Sequence, residues 1–297
     1  MTAEKGSGGE PACDLCWPEE GLARQDFIDL VRREGGGRYR DLPWRGIDDP
    51  YAVLVSEVML QQTQVARVKG RWERFMDAFP TLDALAAAST ADVLEQWQGL
   101  GYNRRALSLK KTADECAAAR AGKLPESAEE LQKLPGIGPA TAAGVVAFAF
   151  DRPAVYLETN VRTVFIHELF PGRDKVPDRE ILPFVADVCP ATGVRGWYYA
   201  LLDFGAYLKA TVPNPSRRSS AYARQGSFEG SRRQKRAELL RIVLAEPGVA
   251  ADEALALLDA EERAAGREAV DPVVFQDIVA DMVEEGFFRR EDDKFLP

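Results

Sequence analysis

The residues best equipped for chemistry in this chain are two glutamates and a glycine turn that lies between them in sequence. Glu57 sits in Val55-Ser56-Glu57-Val58-Met59-Leu60-Gln61-Gln62-Thr63-Gln64, where helical spacing makes Val53, Leu54, Leu60 and Gln61 its neighbours. A carboxyl on that largely apolar side tends to stay protonated; a surface glutamate on an amphipathic helix would show the same segment. Leu134-Pro135-Gly136-Ile137-Gly138-Pro139 reads as a Gly-x-Gly turn between helices. Such a turn lets backbone approach a ligand and points the next helix's N–H groups outward, which suits phosphate. A plain glycine-capped corner would use the same residues. Pro139 fits the first helical position. Glu158 follows in Glu158-Thr159-Asn160-Val161-Arg162.

These groups must be positioned by helices. Short helical segments separated by Gly and Pro fill most of the chain, with hardly a period-2 run before the C-terminus, so the expected fold class is all-α. Periodicity predicts helices at 25–33, 51–78, 91–96, 104–121, 128–134, 139–150, 160–169, 178–188 and 195–208, with Ser127 and Asp178 as N-caps. Residues 211–231, rich in Ser, Arg, Pro and Gly, form the clearest linker. Helices at 233–245, 252–258 and 272–285 and a closing hairpin around Glu291-Asp292-Asp293 then give the outline of a winged helix.

Charge distribution says more than the net −9. Residues 246–297 hold 15 Asp/Glu against 5 Lys/Arg, which leaves 32 against 33 in the rest. Residues 197–241 are basic, with 9 Lys/Arg and 3 Asp/Glu clustered at Arg217-Arg218 and Arg232-Arg233-Gln234-Lys235-Arg236, a solvated face or a phosphate-binding one. The acidity of the last module makes packing or protein contact as fitting for it as duplex binding. No apolar run approaches the ~20 residues a bilayer span needs, and residues 1–9 are unlike a signal peptide. The expected location is the cytoplasm, at the nucleoid. Four cysteines and one histidine argue against a disulfide framework or an obvious metal cage; Cys13-x-x-Cys16 is half a zinc site in a start, residues 1–20, expected to be disordered.

Leu42-Pro43-Trp44-Arg45, Ser56–Val65, Gly99-Leu100-Gly101-Tyr102, the glycine hairpin and Asn160-Val161-Arg162 occur in the order found in helix-hairpin-helix (HhH-GPD) DNA glycosylases. Within them the chain resembles the MutY-type adenine DNA glycosylases. The resemblance implies a two-lobed core over 21–228, a six-helix domain at about 48–155 and a second lobe from 21–47 plus 156–228, followed by the winged-helix-like module at 229–297. It implies a partner, double-stranded DNA with a damaged or mispaired base, and a target nucleotide flipped from the stack. Glu57 then matches the general acid that protonates the departing base. Glu158 matches the carboxylate that stabilises an oxocarbenium-like sugar, and Asn160 the residue that orients it or the water. Leu60, Gln62, Thr63 and Tyr102 match positions that wedge into the duplex and contact the opposite base. Gly136, Gly138 and Ala140 belong to the hairpin, where a monovalent cation is the one ion expected, and Arg217 and Arg218 are expected to contact the DNA backbone.

The chain departs from that family in ways that shape the expectation. Strand-cutting relatives place a lysine where Ala140 stands, so base excision without efficient strand cleavage is expected, with Lys133 the alternative amine. The four cysteines of the usual iron–sulfur cluster fall on Lys209, Ser216, Ser219 and Gln225, so no cluster and no required cofactor are expected. Glu158 replaces the usual aspartate, Asn103 replaces a second aromatic, and the module at 229–297 replaces a nudix-like domain. The expected protein is a monomeric, monofunctional glycosylase for adenine opposite 8-oxoguanine or guanine. Removal of uracil, thymine, hypoxanthine or a modified base, and non-catalytic binding of damaged DNA, are the alternatives.

Overall fold

The computed structural model describes residues 15–297. Cys13 lies outside the described residues, and Cys16 is exposed. In chain order the helices are α1 (Arg24–Gly36), α2 (Pro50–Leu60), α3 (Val65–Val68), α4 (Arg71–Ala78), α5 (Leu82–Ala87), α6 (Thr90–Trp97), α7 (Arg104–Ala119) and α8 (Ala128–Leu131). They continue with α9 (Pro139–Ala149), α10 (Thr159–Leu169), α11 (Asp178–Val188), α12 (Val194–Thr211), α13 (Arg232–Ala245), α14 (Ala251–Ala264) and α15 (Pro272–Glu285). Strands β1 (Val249–Ala250), β2 (Arg289–Glu291) and β3 (Lys294–Leu296) complete the chain.

The chain divides into two compact units. The first comprises residues up to Arg40 together with Val155–Tyr222, and contains α1 and α10 to α12. Here α12 packs against both α10 and α1. The approach to α10 is close because Gly205 has no side chain: a Cβ there would lie 2.2 Å from the carbonyl oxygen of Asn160. Residues 15–20, expected in the disordered start, are tied down at Trp17, whose indole N–H donates to Asp187 (3.1 Å) and whose ring packs on Phe27 and Phe184.

The second unit comprises Asp41–Ala154 and Ala223–Pro297. Its core is built around α2 and α9, both apolar on nearly every side, as helices enclosed by others must be. Asp49 caps α2 by accepting from the Tyr51 N–H (2.9 Å), and Pro50 takes the first position, where its missing N–H is harmless. The Tyr51 hydroxyl donates to the Phe79 carbonyl (2.7 Å), and the Trp72 indole to that of Ala52 (3.1 Å).

The single helix expected at 51–78 is in fact three. The chain breaks at Gln62, with φ 54°, and at Gly70, with φ 78°. Glu73 restarts the helix by accepting from the Gly70 N–H (2.7 Å). Periodicity cannot see such breaks, because the apolar pattern runs through them. Ser127 caps α8 as expected, but Asp178 does not cap α11: Pro177 holds that position, and Asp178 accepts two 2.7 Å bonds from Arg162 instead. The short α5 was not legible in the sequence; Thr81 starts it by accepting from the Ala84 N–H (3.1 Å).

After the linker the order α13–β1–α14–α15–β2–β3, with an antiparallel sheet of order β1-β3-β2, is that of a winged helix. Its core gathers Phe275, Phe288 and Phe295.

Candidate functional site

In the second unit, Glu57 lies half-buried on α2, one turn before the helix ends, beside the buried Val53 and Leu54. Leu60, half-buried, closes α2. Gln61 follows as C-cap and donates its side-chain N–H to Thr141 Oγ1 (2.9 Å), tying the end of α2 to the start of α9. Gln62 is exposed in the left-handed region, and the Thr63 hydroxyl bonds back to the Gln61 carbonyl (3.2 Å).

A residue that sequence reasoning missed organises this turn. The Arg105 guanidinium donates to the carbonyls of Val58 (2.7 Å), Met59 (2.9 Å) and Gln61 (2.6 Å), which the end of α2 leaves unsatisfied. It also donates to Thr63 Oγ1 (3.1 Å) and the Gly101 carbonyl (2.9 Å). Burial among these neutral acceptors pushes its pKa down to about 10. Arg105 therefore holds the Gln61–Thr63 turn and the Gly99–Tyr102 turn to one another. A signal was present in the sequence: Arg104 and Arg105 open a helix, where the macrodipole disfavours cations, so each needed a specific partner. Tyr102 is exposed in the left-handed region at φ 50°.

The hairpin links α8 to α9. Leu134 and Ile137 point into the core, while Gly136 adopts φ 72°. A Cβ at Gly136 would lie 2.5 Å from that of Ser108, so the turn and its packing both require glycine. Gly138 is different: a Cβ there meets nothing within 4 Å. Ala140 is exposed in the first turn of α9.

In the first unit, Glu158 is the N-cap of α10. Its Oε1 accepts from the backbone N–H of Asn160 (2.5 Å) and Val161 (2.9 Å), and the Asn160 side-chain N–H faces Oε2 at 3.5 Å. Lys209 donates to Asn160 Oδ1 (3.3 Å) from the other side. Enclosure pushes the Glu158 carboxyl above the usual carboxylate range; the two N–H donors, Lys209 and Arg162 pull the other way. Gly205 of α12, packed on the Asn160 backbone, sets where this cap can sit.

Arg217 is exposed on a 3-10 turn, Pro215–Arg218. Arg218 is engaged internally: it donates to the carbonyls of Ile166 (3.1 Å) and Phe170 (2.7 Å) at the end of α10. Val176 and Ser219 form a parallel bridge beside it. These contacts hold the segment onto which the cluster spacing falls. Among the described residues no group of three or more His, Cys, Asp or Glu side chains could hold a metal ion. The candidate residues thus collect in two places, Glu57, Leu60, Gln62, Thr63, Tyr102 and the hairpin in one unit, Glu158, Asn160, Arg217 and Arg218 in the other.

Over 235 residues the sequence is 37% identical to the adenine DNA glycosylase of Mycobacterium tuberculosis (strain ATCC 25618 / H37Rv), spanning 70% of this chain and 75% of that one. The chain belongs to the adenine DNA glycosylase family. The model of the HhH-GPD superfamily of base excision DNA repair proteins matches residues 55–187. Both glutamates, the hairpin and Asn160 fall inside that stretch, whereas Arg217, Arg218 and the C-terminal module fall outside. The adenine DNA glycosylase of Mus musculus is 41% identical over 144 residues, 46% of this chain and 28% of the mouse protein. Among solved structures, a thermostable thymine-DNA glycosylase superposes with a TM-score of 0.57 at 22% identity, covering 65% of this chain and 90% of that one. Endonuclease III from a non-covalent DNA complex gives 0.55 at 21%, covering 64% and 90%. At such identities these two establish the fold of this glycosylase family member. No helix among its described residues is long and apolar enough to cross a membrane.

Proposed function

We propose that this glycosylase takes a mispaired adenine, opposite 8-oxoguanine or guanine, out of duplex DNA and hydrolyses its N-glycosidic bond without cutting the strand. Glu57 gives the departing base its proton, and the glycosidic electron pair leaves with the base. Glu158 faces the positive charge that develops on the sugar, Asn160 orients the carboxylate or the incoming water, and water adds to the sugar carbon. What carries this reading is Glu158: a half-buried carboxylate fixed by its own helix, with an asparagine on its second oxygen, is preorganised to stabilise a cation.

Other features support it. A side chain at Gly138, the N-cap of α9, would meet no protein atom within 4 Å, which leaves room for a phosphate to come close to the start of that helix. Ala140 offers no amine for a Schiff base, and Lys133 is ion-paired with Glu130 on the surface. Leu60, Gln62, Thr63 and Tyr102 are the proposed contacts to the duplex around the flipped nucleotide, with Gly136 shaping the hairpin and Arg217 as a phosphate contact. Arg218 supports the loop. The four cluster positions carry a lysine, two serines and a glutamine, a donor set that does not fit an iron–sulfur cluster, and no cofactor enters the proposed reaction. A monovalent cation at the hairpin would use second lone pairs, since the Leu134 and Pro135 carbonyls already accept from the Ile137 N–H (3.2 Å) and the Thr112 hydroxyl (3.0 Å). Excision of another base by the same pair is the second reading, favoured by the longer side chain at 158.

The test is incubation with duplexes carrying single mispairs or lesions, alkaline cleavage, and comparison with Glu57→Gln and Glu158→Gln. Cleavage at adenine alone, abolished by either change, is expected. Cleavage at another base would support the second reading, and tight binding without cleavage would make the chain a binder. Trapping of a covalent complex with abasic DNA by reductant in high yield would overturn the strand-sparing assignment.

A further inference from the structure

The charged residues of the basic cluster Arg232-Arg233-Gln234-Lys235-Arg236 are paired within the protein. Arg232 donates to Asp281 (2.7 Å), Lys235 to Glu262 (3.1 Å), and Arg236 to Glu285 (2.6 Å). Glu285 in turn accepts two bonds from Arg104, the first residue of α7, and the two guanidinium groups hold its carboxyl below the usual carboxylate range. The acidic face of α15 is thereby joined to α13 and to the start of α7. Helix α15 occupies the place of a winged helix's recognition helix yet contains no Lys or Arg, so it is poorly suited to phosphate.

One member of the cluster reaches further. Arg233 donates to the Tyr102 hydroxyl (2.9 Å) and to the Gly226 carbonyl (2.9 Å). Its guanidinium lies 5.9 Å from the Tyr102 ring centroid, and that of Arg105 lies 5.6 Å from it. The exposed Tyr102 ring, on a left-handed residue, is thus held by a group from the C-terminal module. We propose that Arg233 is a positioning residue for Tyr102, and that through it the winged-helix-like module tunes discrimination of the base opposite the flipped nucleotide. This rests on Tyr102 contacting the duplex. An aromatic ring fixed before DNA arrives loses less rotamer freedom on binding, and it presents its face in one orientation to the neighbouring base.

The experiment measures binding of the full chain to a duplex carrying a tetrahydrofuran abasic analogue, which cannot be excised, opposite guanine and separately opposite thymine. Wild type, Arg233→Ala, Tyr102→Phe and the double variant are compared, with Arg241→Ala as control, since Arg241 pairs only within the module through Glu238 and Glu261. Each single change is expected to reduce the guanine-over-thymine preference by about three- to tenfold, from loss of one charged hydrogen bond at a half-exposed site. The double variant is expected to lose no more than a single one, because both changes remove the same contact. Unchanged preference in Tyr102→Phe, additive losses, or tighter binding by Arg233→Ala would overturn the inference. Should Arg233→Ala melt well below Arg241→Ala, Tyr102→Phe decides alone, since it leaves the module's arginines in place. A wild type that binds but excises nothing refutes the proposed activity while the binding comparison still decides on Arg233; one that binds no duplex refutes both.

Discussion

Helix α2 carries one of the two glutamates and α10 is capped by the other, and each helix ends against an arginine brought from elsewhere in the chain. Arg105 takes the last carbonyls of α2, and Arg218 those of α10. A cation at a helix C-terminus is favourable in both cases. The settings of the carboxyls nevertheless have different origins. Glu57 sits inside α2, whose own residues are apolar on nearly all sides, so its surroundings are written locally. Glu158 sits at the first turn of α10, where the helix's N–H groups and the close approach of α12 at Gly205 define its place. The arginines differ too: Arg105 joins two turns on which proposed DNA contacts lie, whereas Arg218 secures a loop. One carboxyl is placed by pattern and the other by a helix boundary and tertiary packing.

The largest expected effect falls on both carboxyls alike. Glu57→Gln and Glu158→Gln are each expected to slow single-turnover excision of adenine by about 10²–10⁴-fold, the range for loss of a positioned acid or charge stabiliser. Equal activity of either variant and wild type would dissolve the comparison. Glu158→Asp sharpens it. Aspartate also caps helices, but its carboxylate would stand over ~1 Å back, and a loss of about a hundredfold is expected if the surroundings are built for glutamate. A gain in rate would show instead that the longer side chain is the handicap.

The arginines come next. Arg105→Met leaves several carbonyls without a donor at a half-buried site, and a loss of about 3 kcal/mol or more in denaturant unfolding is expected. Arg218→Met, at an equally half-buried site but with fewer acceptors, is expected to cost about 1–2 kcal/mol. Equal costs would remove the distinction between them.

The smallest effect is on pH dependence. With its pKa raised in the folded state, Glu158 keeps its proton at pH values where the unfolded chain has lost it. Its contribution to stability is therefore complete at acid pH and lost as pH rises through the folded value. Stability of the wild type relative to Glu158→Gln is expected to fall on going up from about pH 4.5, while excision, which in the proposed mechanism needs the ionised form, is expected to decline on the acid side at a pH above the ordinary carboxylate range. An acid limb at or below that range would contradict the enclosure.

Much of the fold was legible because caps and glycine turns act over a few residues. Pro139, Ser127 and the hairpin glycines announced their roles, and the apolar character of α2 and α9 followed from composition. The break after Leu60 was not legible. It depends on Arg105 offering a donor to the last carbonyls of α2, a contact across more than forty positions. Asp178 was misread for the same reason: its partner, Arg162, lies on another helix. The basic cluster at 232–236 could be counted in the sequence, but nothing in the count says that its groups face Asp281, Glu262 and Glu285.

By itself, the sequence determined which groups exist and the helices that carry them: two glutamates, a Gly-x-Gly turn, an alanine at position 140, and Lys209, Ser216, Ser219 and Gln225 rather than cysteines after α12 begins. These are matters of residue type and short-range spacing. Only the tertiary structure decided how they are held, with Gly205 of α12 against the turn that Glu158 caps, Gly136 against Ser108, Arg105 between two turns and Arg233 on Tyr102. Burial, hydrogen-bond partners and left-handed backbone at such points depend on segments far apart in the chain, and no local pattern encodes them.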